Sequence, residues 1–494
     1  MHARRVTGQP SRLRDWWAGV WRWVLFACGV AAGGYLLLDR GIANGVVTAA
    51  AIGVFLIGAV LTASQPMAIA LMATPALFIV ERIGIGPGDL TVSDAALAAA
   101  FGTAVFLGDR DLSPPLKALL QLNLIYQFTT VFTVIINPFA QNAIEWFHAW
   151  LLVSGALLSG WAIGRAGKAR TALILIYAVS TLIALGTLAT ALMLVAAEDF
   201  GAVYPQWPWP MHKNFAGCAL AFAAFVAYIN PDWAQIPQRW ARAAMILFLL
   251  ALALTQSRQA MIGFLVALLV HVFRQGAARH WILITLIAVP SAFLIVQSVI
   301  EQVDSQNRFN SVYQRVEWIQ EVYALWKHSP FVGHGLRYWY VHPTANFQPP
   351  QAELEVVASA GLVGLLGFVV MWIGIIAVLW RVDIRFGMLA LGSVLARIVQ
   401  AQFDLFWVSA QVSIPFLIAG ICLGAQALAV SRGETEGFWN DRRRRTGRVA
   451  PRRGGRRVPA ALGPRLADVT RSHRPPAGSA RKISRNTGGV HADP

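Results

Sequence analysis

Charge is scarce in this chain. Only 13% of its 494 residues are Asp, Glu, Lys or Arg, where a soluble domain carries roughly 25%. Polar stretches long enough to break up the apolar ones are also few. The chain is 56% hydrophobic, and apolar runs of about 20 residues recur along most of it, each long enough to cross a hydrocarbon core of ~30 Å. These two shortages exclude a soluble globular domain and predict an all-α, polytopic integral membrane protein. Cysteine is scarce as well. Cys28, Cys218 and Cys422 all fall in apolar runs, without metal-ligand spacing or a disulfide pattern, and read as small buried residues. There is no glycine-rich nucleotide loop, no cluster at metal-ligand spacing and no Ser-His-Asp set. No cofactor and no metal are therefore expected, and chemistry here would need an activated substrate delivered by the membrane itself.

What is present is a regular alternation of apolar runs and cations. Spans are read at 16–38, 42–62, 66–84, 94–108, 115–136, 144–165, 171–197, 213–229, 240–255, 258–275, 280–298, 354–379, 385–401 and 405–430. That is about fourteen, with 12–14 as the range. With the N-terminus inside, Arg110, Lys117, Arg165, Lys168, Arg170, Arg239, Arg242, Arg274, Arg279, Arg381 and Arg385 all fall on the cytoplasmic side, as the positive-inside rule requires. The organisation is then a basic cytoplasmic N-terminus (1–15), a bundle (16–298), an extracytoplasmic loop (299–353), further spans (354–430) and a cytoplasmic tail (431–494). Within the loop, Val312, Val316, Ile319, Tyr323 and Trp326 have the spacing of an amphipathic helix. The expected location is a bacterial cytoplasmic membrane, with both termini inside.

The net charge of +17 is concentrated in the tail, where 16 Arg or Lys face 5 acidic residues. Rich in Arg, Gly and Pro and without apolar period, the tail reads as disordered. No nucleic-acid-binding module accompanies it, so membrane lipid headgroups rather than nucleic acid are its expected partners.

The informative polar residues crowd the outer side. His212, Lys213 and Asn214 stand where one span enters, Arg258 lies in the short turn Thr255-Gln256-Ser257-Arg258, and the loop adds Arg308, Arg315, Arg337, His334 and His342. Arg397 lies inside a span near its outer end, close to Gln400, Gln402 and Asp404; pairing with Asp404 is its structural alternative. Snorkelling at helix ends accounts for any one such cation. Together they point to an outward-facing anion site, and arginine suits a diphosphate because its planar fork binds phosphate oxygens in pairs.

Four local patterns follow one another in order. They are His212-Lys213-Asn214 at a span start, Ser257-Arg258 before a span rich in small residues, Arg315-x-x-Trp318 followed by Pro330-x-x-Gly333-x-Gly335, and Gln351 ahead of Gly361-x-x-Gly364. In this order the chain resembles the bacterial O-antigen ligase and O-antigen polymerase family of envelope glycosyltransferases over roughly residues 200–380. The resemblance implies a metal-independent enzyme that moves a glycan from an undecaprenyl-diphosphate carrier to a glycan or lipid acceptor at the outer leaflet. It implies diphosphate binding by Arg258 and Arg315, with Lys213 as a third cation, and substrate contacts by Asn214, Arg337, Gln351 and Arg397. One departure stands out. Where the family's last pattern begins with His, this chain has Pro350, which cannot accept a proton. His342 is the expected replacement base, with Glu353 or Glu355, a mechanism that needs little help from a base, and an altered activity as alternatives. Two other classes stay open: a flippase-type transporter, for which Gln121, Asn123 and Gln127 would line a path, and a non-catalytic scaffold of envelope assembly.

Overall fold

The computed structural model describes residues 65–82, 90–198, 201–275, 311–342 and 348–440. The expected spans 16–38, 42–62 and 280–298 lie outside these residues, as do the N-terminus, loop residues 299–310 and 343–347, and the chain from 441 onward. The described chain is all helical. It forms α1 (Ala68–Ala76), α2 (Val92–Leu107), α3 (Pro114–Ile136), α4 (Ala140–Arg165), α5 (Ala169–Ala196), α6 (Lys213–Ile229), α7 (Gln238–Thr255), α8 (Arg258–Gln275), α9 (Ser311–His328), α10 (Tyr338–Val341), α11 (Ala352–Arg381), α12 (Ile384–Gln400) and α13 (Ser409–Ser431). No strand occurs among the described residues, only the isolated bridges Arg82–Thr91 and Val382–Trp439.

Six of these helices, α3, α4, α5, α7, α11 and α13, are long and apolar enough to cross a membrane. A helix closes all its backbone hydrogen bonds within itself, which is why an apolar chain crosses lipid in this form. The expected 66–84 span contains only the nine-residue α1, with Pro75 at its end, which is too short to cross. The total of about fourteen extends beyond the described residues.

The bundle is assembled around α13, the helix with the largest buried share, 94% of its apolar window. It lies against α4 through two facing pairs of glycines. An added Cβ at Gly160 would meet the Leu417 carbonyl oxygen at 2.1 Å, and one at Gly424 would meet the Trp161 carbonyl oxygen at 2.2 Å. Small residues four apart on both helices let the backbones touch, the close approach that gives helix pairs their packing energy in lipid. α12 packs on α13 and α8, α11 on α3, and α6 on α7.

Past the expected boundary at 430 the chain stays packed as far as Asn440. The Asp383 amide donates to the Phe438 carbonyl, the Asn440 amide to the Arg381 carbonyl, and Gln426 Nε2 to the Phe438 carbonyl at 2.9 Å. Truncation after Asn440 is therefore expected to leave protein level and activity near those of the full chain. Truncation after Gly437 removes these contacts and is expected to lower the yield of folded protein in detergent, read by size-exclusion chromatography.

The longest helix, α11, is broken in the middle, and the break is filled by another part of the chain. Gly361 has φ +66°, so the helical bonds from the Leu362 and Val363 amides to the Ala358 and Ser359 carbonyls are lost. All four groups find partners in the 330–335 segment. Leu362 donates to the Pro330 carbonyl at 2.9 Å and Val363 to the Phe331 carbonyl at 3.1 Å, while Ala358 accepts from the His334 amide at 3.1 Å and Ser359 from the Gly335 amide at 2.9 Å. Buried backbone groups in lipid-facing structure have to be paired, and this exchange pairs them. It also explains the glycines: Gly333 has φ +69°, and a Cβ there would lie 2.3 Å from the Ser359 backbone.

Candidate functional site

Four helices, α6, α8, α9 and α11, converge on one short turn, residues 401–408 between α12 and α13. From α6 comes His212, the N-cap, whose Nδ1 accepts the Asn214 amide at 3.2 Å; Lys213 follows, with its ammonium 5.8 Å from the centre of the Tyr204 ring. The Ser257-Arg258 corner, where Gln256 takes φ +50°, sits directly on α6: a Cβ on Gly217 would meet Ser257 Cβ at 2.5 Å. That contact brings Arg258, exposed at the start of α8, within Coulombic reach of Lys213. One residue on, Gln259 Nε2 donates to Asp404 Oδ2 at 2.7 Å, tying α8 to the turn. From α9, Arg315 places its guanidinium 5.5 Å from the centre of the Phe403 ring. The start of α11 completes the ring of contacts. The Ala352 amide donates to the Ala401 carbonyl, Gln402 Nε2 to Glu353 Oε1 at 2.8 Å, and the Phe406 amide to Glu355 Oε2 at 3.2 Å.

Burial holds the His212 imidazole below its ordinary pKa, against the pull of Asp404 and with Lys213 adding to the lowering. Burial likewise lowers the Arg315 guanidinium, a sign that it is drawn partly out of water. The positive end of α8 faces the same side as Arg258, its first residue, so side-chain and helix charges add there.

Arg258, Arg315, Lys213 and Asn214 are thus placed around or beside one turn. Gln351 caps α11 without a side-chain capping bond and is half-buried. The other expected site residues are elsewhere. Arg397 is fully buried and braces the turn from inside, donating to Gln411 Oε1 at 2.7 Å and to the Leu405 and Phe406 carbonyls at 2.6 and 2.5 Å. It has no salt bridge to Asp404; its two terminal nitrogens are bonded to protein, while its Nε is buried without a hydrogen-bond partner. Arg337 donates through Nε to Glu145 Oε2 at 2.7 Å. His342 is exposed at the end of α10, its ring 4.5 Å from that of Tyr338.

Sequence reasoning passed over Gln259, Phe403 and Tyr204, none of which carries a recognisable signal. It also passed over Asp94, Glu145 and His148, which do: ionisable residues inside apolar spans are rare and functional by default. No group of three or more His, Cys, Asp or Glu fit to hold a metal occurs among the described residues.

Residues 243–369, from within α7 to within α11, match the family described as O-antigen ligase, and the match supports assignment to the O-antigen ligase and polymerase family. No curated protein matches the chain.

Proposed function

From the O-antigen ligase match over residues 243–369, we infer that this membrane protein transfers a glycan from a lipid-diphosphate carrier to an acceptor hydroxyl, at the outer leaflet, in cell-surface polysaccharide synthesis. The observation that carries this reading is a set of cations beside the 401–408 turn: Arg315 over Phe403, Arg258 next to Gln259, which bonds Asp404, and Lys213 near Arg258. The acceptor oxygen attacks the anomeric carbon, the bond from that carbon to the diphosphate oxygen breaks, and negative charge grows on the leaving diphosphate. Preorganised cations aimed at that charge lower the barrier most. Arg258 and Arg315 supply them in planar form, and Lys213 supplies a point charge.

The acceptor's proton needs a base, and Pro350 cannot serve. Glu353 is one candidate: Gln402 of the 401–408 turn holds Oε1 at 2.8 Å, and Oε2 is buried with no hydrogen-bond partner. His342 is the second candidate, one residue from an undescribed stretch. Glu353→Gln and His342→Asn, assayed separately for transfer, assign the role. General-base catalysis contributes about 10²–10⁴-fold, so the variant with a loss in that range identifies the base, and equal retention of activity by both excludes the pair.

Of the three polar residues on α3 that a transport path would use, Asn123 is buried and donates to Ser154 Oγ at 2.7 Å, joining α3 to α4, Gln121 is exposed on the helix surface, and Gln127 is buried with neither amide atom hydrogen-bonded. Purified protein in vesicles containing a lipid-diphosphate-linked glycan and an acceptor tests the assignment. A transferase releases lipid diphosphate in step with acceptor glycosylation, a flippase moves the lipid intact across the bilayer, and a scaffold does neither.

A further inference from the structure

Away from the 401–408 turn, four ionisable side chains form a line through the bundle. Asp94 on α2 faces His148 Nε2 at 2.9 Å. His148 Nδ1 faces Glu145 Oε2, one helical turn back on α4, at 3.3 Å. Glu145 Oε2 then meets Arg337 Nε at 2.7 Å. Asp94, Glu145 and His148 are 4%, 5% and 8% exposed, so little water screens them. Both ring nitrogens of His148 face carboxylate oxygens, and each contact is attractive only with a proton between the two atoms. An imidazolium supplies both protons, and with it the line reads minus, plus, minus, plus. Such a set is tolerated in a buried place because its charges cancel, and removing one member leaves its neighbour uncompensated.

Both ends of the line are anchored. Asp94 closes a capping box with Thr91, accepting the Thr91 amide at 2.9 Å, and it lies beside Ser409, the first residue of α13 after the 401–408 turn. Arg337 belongs to the segment that fills the break in α11. That segment is also held by the α3–α4 corner: Thr133 Oγ1 donates to the Val332 carbonyl at 2.7 Å, and the Leu336 amide donates to Asn142 Oδ1 at 2.7 Å. Residues 332–337 are thus docked by neutral hydrogen bonds and closed at one end by a charged one.

We propose that Arg337 is a positioning residue: the ion line Asp94–His148–Glu145–Arg337 pins segment 332–342 to α2 and α4, so that the segment keeps a fixed place relative to the turn where transfer occurs. The positioning half rests on the transfer reading above; the docking half does not. Docking by Arg337 acts on the alignment of the bound reactants and not on their capture. A misplacement of about 1 Å far from the chemistry can cost about a hundredfold in rate.

The test compares Arg337→Gln, Arg337→Lys and Glu145→Gln with wild type, each purified in detergent for hydrogen exchange and reconstituted for kinetics. Arg337 is the more exposed end of the line, with its side chain 17% exposed, so Arg337→Gln keeps the test open where Glu145→Gln fails to fold. The expected result for Arg337→Gln is amide exchange across 332–342 faster by about tenfold, the scale of a lost charged hydrogen bond, with exchange in α13 unchanged. Its kcat is expected to fall about a hundredfold while KM for the lipid-linked donor stays within about twofold. Arg337→Lys, which keeps a charge for Glu145, restores part of both. Unchanged exchange in 332–342 overturns the docking. Exchange that rises equally in α13 overturns it too, since the line then only supports the fold. Faster local exchange with unchanged kcat overturns the positioning role. Absence of transfer by the wild type defeats the transfer reading and the positioning role with it, while the exchange data still decide the docking.

Discussion

Arg258→Lys and Arg315→Lys are each expected to cut glycan transfer about a hundredfold while leaving the protein folded, since losing one preorganised donor to a developing charge costs ~3 kcal/mol. Lysine keeps the charge, so any loss isolates the planar two-bond fork. The structural cost of either change is small. Arg258 is exposed at the first residue of α8, and Arg315 is half-buried with its guanidinium over Phe403. Arg239→Lys is the matched control, an exposed arginine over a Trp ring at the far end of α7 from the Ser-Arg corner. Turnover of lipid-linked glycan in purified membranes is the measurement. Near wild-type activity in both variants would remove the diphosphate clamp and leave the cations as surface anchors at helix ends.

Gly361→Val is expected to abolish most of the folded protein, for a reason separate from the chemistry. At φ +66° and ψ −167°, a region open essentially to glycine alone, any residue with a Cβ carries a penalty of about 1–3 kcal/mol, and here the Cβ would also lie 2.3 Å from the Phe331 backbone. The backbone of Phe331 cannot retreat without releasing the Leu362 and Val363 amides. A total of at least about 4 kcal/mol is expected, the range reserved for severe backbone and packing faults. Gly433 gives a clash-free comparison at positive φ, because it has φ +72° with nothing within 4 Å of an added Cβ. Gly433→Ala should show its own dihedral penalty alone, as a small shift in thermal unfolding in detergent. If Gly361→Val unfolds no earlier than Gly433→Ala, the interleaving of 330–335 with α11 contributes nothing to stability.

The apolar runs and the cations between them determined that the chain is a helical membrane protein, because a run of apolar residues in lipid has little choice but to close its hydrogen bonds within a helix. Six of the expected spans coincide with helices long and apolar enough to cross a membrane, and the ordered patterns from His212 to Gly364 were sufficient to point to the family that residues 243–369 match. Pairing across the fold was not legible. Gly333 and Gly361 are 28 residues apart in sequence, and nothing local says that one segment fills the break in the other's helix. The break only makes sense once both sets of unpaired amides and carbonyls lie together. Arg397 shows the same limit from the other side. An arginine within a span reads as a ligand for substrate, and nothing local says that the 401–408 turn folds back and offers it carbonyls. In the ion line from Asp94 to Arg337, Glu145 and Arg337 are 192 residues apart; sequence can mark Asp94, Glu145 and His148 as unusual ionisable residues in apolar runs, but only tertiary packing brings opposite charges close enough to cancel.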